Sequence, residues 1–448
     1  MKKVLAILGI VIVVVAAVAV AAFLWWKRPW DPRARIRAQG YPATLEELNA
    51  WYPQPAGRNA ADVYEKAFER FAEPYPLQGR YATLPLLGSD RPDLFYEVPL
   101  TEPISERTCA LKAEFLAEHE EALQLLHEAA EVEQCRYPVD LRKGNAASTS
   151  HLHGVQKCAY LLGVEALAHA EAGRATRAVR SVCSQLALAG SMADEPMMTS
   201  LLARISMRYV AFRCLERVFN RTACPEPGLS DLQQALEQED DPGALARAFA
   251  GERCIGLPRF EGQGLISVLN LSDRGTYLEH MAQWVRLAEG PVAGRVDAAQ
   301  EQARQRIPRS CSLAAWLVQG NGRAVVADAC SLAQMRAACT AVAVERYRMK
   351  HNSLPESLED LVPVYLDAVP LDPFCGEPLR YVRTQGGYAV YSVGDDGQDN
   401  GGTRMVTDFT KVPGRHSASP PTMGLGADMV FEVSVRHEVQ EQGASAQE

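Results

Sequence analysis

One long apolar run near the N-terminus constrains this chain more than any other feature. Residues Val4 to Trp26 are all apolar or Gly, in the order VLAILGIVIVVVAAVAVAAFLWW. At about 1.5 Å per residue, a helix of this length crosses a hydrocarbon layer of roughly 30 Å. Trp25, Trp26 and Trp30 come where an aromatic belt would meet the interface. The run predicts one membrane-spanning helix, with the lipid bilayer as the partner of residues 4–26.

A cleavable signal peptide is the alternative reading of this run. Ala17-Val18-Ala19 and Ala19-Val20-Ala21 both have the small-x-small pattern of a cleavage site. The apolar run is longer than the roughly 7–15-residue core of a signal peptide. Its length therefore favours a retained anchor.

The charges that flank the apolar run do not determine the orientation of the anchor. Lys2 and Lys3 precede the apolar run, and five basic residues follow it: Lys27, Arg28, Arg33, Arg35 and Arg37. Counting positive charges places the C-terminal side in the cytoplasm, but long domains translocate largely regardless of charge. We expect most of the chain to be extracytoplasmic in a bacterial envelope, and the opposite orientation stays open.

Length and composition set the fold class. The chain has 448 residues, 47% of them hydrophobic, which is enough for two or three globular domains. Its net charge of −9 argues against a general nucleic-acid binder, which needs a basic surface. We expect a mainly α protein with an anchor and basic flank (1–37), a helical domain (38–320), a helix-plus-sheet module (324–438) and a disordered tail (439–448).

The eleven cysteines are typical of buried thiols. None forms a C-x-x-C pair, and most lie among Ala, Leu and Val. In such surroundings a thiol behaves as a small hydrophobic group. If the domain is exported, one or two disulfides become possible, but the spacing of the cysteines does not determine which of them pair.

Apolar residues recur at helical spacing through the middle of the chain. Gly173 separates two such segments and is typical of a helix C-cap. These two segments resemble one tetratricopeptide-type hairpin, but no second copy follows, so a generic antiparallel helix pair is favoured. The predicted helices are 59–71, 111–136, 154–172, 174–189, 201–219, 232–239, 242–253 and 277–288.

The C-terminal part combines one long helix with strands. A dense apolar pattern predicts a helix over 324–350. Alternation then predicts strands over 379–382, 388–393 and 429–436, the first two joined at Gln385-Gly386-Gly387.

Two runs in this part are similar to the C-terminal half of the major pseudopilin of type II secretion systems. They are LPESLEDLVPVYLDAVPLDPFCGEPLRYV (354–382) and YAVYSVGDDGQDNGG (388–402). The resemblance implies a long helix packed on a small antiparallel sheet. The N-terminus lacks the prepilin-peptidase site and early glutamate of that family, so we expect a borrowed fold rather than a polymerising subunit.

Earlier stretches resemble uncharacterised bacterial membrane-anchored families. These are LEELNAWYPQPAGRNAADVY (45–64) and MADEPMMTSLLARI (192–205). The resemblance brings no assigned activity.

The pseudopilin resemblance also implies a calcium loop after the second strand. The counterparts of its ligands are Ser392, Asp396, Asp399 and Asn400, with Asp395 adjacent. Hard oxygen donors among glycines suit Ca²⁺. The alternative is a solvated Asp/Asn/Gly turn that needs no ion.

No sequence motif predicts a catalytic residue or an organic cofactor. The runs beginning at His127 and His437 start like a metalloprotease helix but lack the second histidine. His151-Leu152-His153 is predicted to lie in a loop before a helix. Gly251-Glu252-Arg253 offers a carboxylate–guanidinium pair, of a kind that is often structural.

We therefore expect an interaction or scaffold module, with protein partners in the cell envelope and no nucleic acid. The alternative is a hydrolase-like envelope enzyme with its site between helices. A pocket that gathers His, Asp and Glu from several helices would favour the enzyme.

Overall fold

The computed structural model describes residues 32–90, 105–260, 271–403 and 428–434. The predicted anchor at 4–26 and the predicted tail at 439–448 lie outside these residues. Within the described ranges, no helix is both long and apolar enough to cross a bilayer.

The described chain is mainly helical and carries a small antiparallel sheet, as the sequence predicts. The helices are α1 (Pro32–Ala38), α2 (Leu45–Trp51), α3 (Ala60–Arg70), α4 (Glu106–Glu118), α5 (Glu120–Ala130), α6 (His151–Glu171), α7 (Ala175–Gly190), α8 (Met198–Arg221), α9 (Glu226–Gln238), α10 (Ala244–Gly256), α11 (Leu271–Glu289), α12 (Arg295–Arg304), α13 (Ser312–Val318) and α14 (Asn321–His351). The strands are β1 (Arg380–Arg383), β2 (Tyr388–Ser392) and β3 (Met429–Val433).

Helices α6, α7 and α8 pack on one another and form the centre of the fold. Gly173 has a φ of +68° and turns the chain between α6 and α7, which agrees with its predicted role as a C-cap. Gly163 lets α6 approach its neighbours, since a Cβ there would lie 2.6 Å from Leu86 and 3.2 Å from the Cys214 thiol.

The helix predicted over 111–136 is wrong as a single element. It is two helices, α4 and α5, which meet at His119. The His119 backbone has φ −114° and ψ 21°, and its ring packs edge-on against Phe71 and Phe115. Tertiary packing of one aromatic ring thus breaks a continuous helical pattern.

Other helix boundaries also differ from the prediction. Helix α9 begins at Glu226, six residues earlier than predicted, because Pro227 sits in its first turn, where a missing N–H is tolerated. His151 is the first residue of α6 rather than part of a loop. The sequence patterns do not predict α1, α2, α12 or α13.

The sheet has the order β1-β2-β3, with both pairs antiparallel. Tyr388 of β2 lies opposite Arg383 of β1 and Val433 of β3. All of β2 is buried, and the Tyr388 hydroxyl donates toward the Ala341 carbonyl and the Glu345 carboxylate of α14. The sheet therefore packs on the long helix.

Side chains of α8 cover the outer edge of β3. The Glu432 N–H donates to the Glu216 carboxylate at 2.8 Å, and the Ser434 N–H donates to the Asn220 side-chain oxygen at 2.7 Å. The Asn220 amide donates in turn to the Glu432 carbonyl at 2.8 Å. Pairing an edge strand in this way protects it from association with other chains.

Two hydrophobic cores support this arrangement. The larger core includes buried residues of both the helical bundle and the sheet; in sequence, its members run from Leu48 to Val433. The smaller core lies around α10, α11 and α13 and includes Trp284. Gly251 of α10 allows close packing beside α8, because a Cβ there would lie 1.7 Å from the Pro196 carbonyl oxygen.

The cysteines follow the expectation of buried thiols. Seven are buried, and all eleven are free thiols. Cys375, in the turn before β1, is the exposed one.

Candidate functional site

Three of the predicted calcium ligands, Asp396, Asp399 and Asn400, lie in the loop after β2, and Ser392 is the last residue of β2; each has a partner within the protein. The buried Ser392 hydroxyl donates to Asp372 at 2.9 Å. Asp399 accepts hydrogen bonds from Arg380 at 2.8 Å and from the Tyr391 hydroxyl at 3.1 Å. Asp396 accepts the Gln398 N–H at 3.0 Å. Calcium binding stays a prediction.

Two carboxylates that the sequence analysis did not single out organise this loop. Asp428 accepts the backbone N–H groups of Asn400 at 3.1 Å and Gly402 at 2.8 Å. Asp372 accepts the Val393 N–H at 2.9 Å. Across the described ranges, no group of three or more His, Cys, Asp or Glu side chains is placed to hold a metal ion.

The histidines noted in the sequence have different surroundings. His151 is buried, lies 3.0 Å from the Glu195 carboxylate and stacks on Tyr137. His127 lies between α6 and α7 and contacts one carboxylate and one hydroxyl. His437 lies outside the described residues.

A network of buried charges lies between α8, α9 and α14. The Glu239 side chain, which is 8% exposed at the end of α9, accepts hydrogen bonds from Arg204 at 3.2 Å and Arg208 at 2.6 Å. Burial raises the pKa of Glu239, but the charges of Arg208 and Arg204 outweigh it and hold the pKa below its usual value.

The network continues outward to the loop after α9. Asp241 pairs with Arg247 and lies 3.7 Å from an Arg204 nitrogen. On α14, Asp328 lies 3.6 Å from Arg295. Burial raises the pKa of Asp328 to about 6, despite the arginines around it.

A groove of about 690 Å³ opens beside this network. Its volume lies within the range of about 300–1,000 Å³ that is typical of ligand sites. We call it the α10–α11 groove; it is lined by Tyr41, Trp51, Pro242, Gly243, Ala246, Arg247, Ala288, Glu289, Gly290, Pro291, Val292 and Arg295.

Arg253 lies next to this groove and is the most unusual polar side chain near it. Its seven-residue spacing from Ala246 places both residues on one face of α10. The residue is 1% exposed, and its three guanidinium nitrogens have no hydrogen-bond acceptor. Its guanidinium carbon lies 5.6 Å from the centre of the Tyr41 ring, which lines the groove. Burial lowers the pKa of Arg253.

Glu252 and Arg253 do not form the carboxylate–guanidinium pair suggested by their sequence positions. The Glu252 carboxylate instead accepts the Met198 N–H at 3.2 Å, at the start of α8. Glu289, which lines the groove, accepts a hydrogen bond from the Tyr41 hydroxyl at 2.7 Å. Tyr41 therefore contacts both this carboxylate and the buried guanidinium.

No protein-family model, curated protein or solved structure matches this chain. The resemblance to pseudopilins therefore stays a prediction, and function is argued from the site.

Proposed function

We propose that this chain is a single-pass envelope protein whose helical body binds an acidic segment of a partner protein in the α10–α11 groove. The observation that carries the proposal is Arg253, a buried cation without an acceptor beside an open groove. A buried polar group without a partner costs about 1–3 kcal/mol, and a charged one costs more. A carboxylate of a bound segment would supply the missing acceptor.

The charge around the groove supports an acidic ligand. Arg204, Arg208, Arg247 and Arg295 surround three network carboxylates: Glu239, Asp241 and Asp328. Arg253 adds a further cation that Glu289, the carboxylate among the described residues of the groove lining, does not contact by a hydrogen bond. A planar guanidinium matches a carboxylate in two parallel hydrogen bonds.

The rest of the groove suits the apolar parts of a peptide. Trp51, Pro242, Pro291 and Val292 provide the apolar lining beside Arg247. Apolar contact around a few fixed polar groups is the usual composition of a recognition site.

Binding of a labelled hexaglutamate peptide to the full-length protein tests this proposal. We expect Arg253→Met to weaken binding at least tenfold, the equivalent of about 1.4 kcal/mol. The same substitution should raise the thermal unfolding midpoint, because it removes a buried charge that has no partner. Fluorescence anisotropy and thermal unfolding measure the two effects.

The controls separate recognition from general charge attraction. Arg286→Gln removes an exposed arginine of α11 outside the groove lining and should leave binding within twofold. A hexaserine peptide should not bind. Equal binding by the Arg253→Met protein, or a lowered unfolding midpoint in that variant, would contradict the proposal.

The membrane part of the proposal rests on the apolar run at 4–26. The exposed Cys375 provides a natural reporter of orientation. We expect a membrane-impermeant maleimide to label Cys375 in spheroplasts without lysis, with Cys375→Ser removing that label. Labelling of Cys375 only after lysis would place the body in the cytoplasm.

The pseudopilin-like unit is, in this proposal, a supporting element rather than a pilus subunit. Its sheet packs on α14 and its β3 edge is paired by α8. Because its edge strand is covered by α8, we expect the sheet to stay packed on the helical body.

A further inference from the structure

A separate cavity between α5, α7 and α9 is lined by a serine and a histidine, and the histidine is also hydrogen-bonded to a carboxylate of α6. The Ser184 hydroxyl lies 2.8 Å from His127 Nδ1, and His127 Nε2 lies 3.0 Å from the Glu165 carboxylate. The three side chains come from three helices, α7, α5 and α6. The order serine–histidine–carboxylate is the arrangement that activates a hydroxyl as a nucleophile.

The protonation of this group follows from its contacts. Burial raises the pKa of Glu165, but hydrogen bonds from His127 and Ser181 outweigh it and leave the pKa lower than usual. An ionised carboxylate only accepts hydrogen bonds, so His127 Nε2 carries the proton. In the neutral imidazole His127 Nδ1 then accepts, and the Ser184 hydroxyl, 2.8 Å away, donates to it. This tautomer makes His127 a base toward Ser184.

The cavity gives a substrate access to the two reacting groups. His127 and Ser184 both line it, and its volume is about 240 Å³. Ala130, Ala187 and Ala235 provide apolar lining. The volume suits a short acyl group, and Glu131, Gln238 and Glu239 form the polar part of the lining.

One cation is placed to balance charge that develops on a substrate. Arg180 lines the same cavity and precedes Ser184 by one helical turn, so both lie on one face of α7. It lies 3.5 Å from Glu131 at an exposed position, where the pair is weak. Arg180 can therefore turn toward a carbonyl oxygen as negative charge forms on it.

We propose that this cavity is a serine-type esterase site for short-chain carboxylic esters, with Ser184 as nucleophile, His127 as base and Glu165 as a positioning residue. Ser184 Oγ attacks the ester carbonyl carbon as its proton passes to His127 Nδ1. The bond to the leaving alcohol breaks, and His127 returns the proton to the alcohol oxygen. Water then attacks the acyl-serine, its proton passes through His127 to Ser184 Oγ, and the carboxylic acid leaves.

A fluorophosphonate probe tests this site in the full-length protein. We expect Ser184 Oγ to displace fluoride and form a phosphonate ester, identified by peptide mass analysis. Ser184→Ala should abolish labelling, and His127→Gln should slow it at least a hundredfold, as loss of a general base does. Hydrolysis of p-nitrophenyl acetate should fall in parallel.

Two further variants separate positioning from structure. Glu165→Gln can donate to His127 Nε2 and stabilise the wrong tautomer, so kcat should fall at least tenfold with little change in KM. Glu165→Asp should recover part of the loss. Ser206→Ala is the matched control, because the Ser206 hydroxyl donates to the Leu202 carbonyl within α8 and Ser206 is not among the residues that line the cavity; its labelling should stay within threefold of wild type.

The proposal is overturned if the native protein is not labelled, or if label and hydrolysis persist in the Ser184→Ala protein. It fails equally if Ser206→Ala lowers the rate as much as His127→Gln. None of these results depends on peptide binding in the α10–α11 groove, since the two sites share no lining residue.

Discussion

Replacing Glu239 with Gln should lower the free energy of unfolding by about 3–5 kcal/mol at pH 7, the usual cost of removing one partner from a buried ion pair. Glu239 is the carboxylate that joins Arg204 and Arg208, and both guanidiniums are almost fully buried. A neutral amide would leave two positive charges close together without their shared counter-charge. Denaturant unfolding of the full-length protein in detergent measures the change.

The same replacement at an exposed pair supplies the control. Glu301 lies 3.4 Å from Arg304, and both side chains are more than two-thirds exposed. We expect Glu301→Gln to change the unfolding free energy by less than about 0.5 kcal/mol. A loss of similar size in both variants would show that the buried network is not what stabilises the fold.

The loss in Glu239→Gln should also depend on pH. Because the two arginines hold the pKa of Glu239 below its ordinary value of 4.5, its stabilising effect is present above that value. The effect is lost as pH falls through the lower, folded-state pKa. Glu239→Gln and the native protein should therefore converge in stability under acid conditions.

Sequence patterns predicted the parts of this fold that depend on local spacing. Helices α6, α8 and α14 are long segments with dense apolar residues, and each lies where periodicity placed it. The hairpin between β1 and β2 followed from alternation around Gly386. These features are encoded within a few neighbouring residues, so one sequence is enough to find them.

The candidate sites were not predictable in the same way. Arg204 and Arg208 look like a solvent-facing stripe in sequence, and their partner Glu239 follows 35 and 31 residues later. His127 meets Glu165 and Ser184 across separations of 38 and 57 residues. No local pattern marks such pairs, since tertiary packing alone brings them together.

The split between α4 and α5 has the same origin. The apolar stripe continues past His119, so spacing predicts one helix. The contact of the His119 ring with Phe115 is local, but its contact with Phe71, at the end of α3, joins residues that are remote in sequence. Only the packed fold contains that information.

Asp328→Asn should have the opposite effect to Glu239→Gln, although both residues belong to one network. Burial raises the pKa of Asp328 from 3.8 to about 6. Between about pH 4 and pH 6 the native state keeps a proton that the unfolded chain has released, so stability falls as pH rises through this window. At about 1.36 kcal/mol per pKa unit, the loss approaches about 3 kcal/mol at pH 7.

The asparagine variant removes this loss because it is never charged. We expect equal unfolding free energies for Asp328→Asn and the native protein near pH 4, and a more stable variant at pH 7. Urea unfolding at pH 4, 5, 6 and 7 measures the difference. A variant that is less stable at pH 7 would mean that attraction to Arg295, 3.6 Å away, exceeds the cost of burying the Asp328 charge. The buried network would then be held by Asp328 as well as by Glu239.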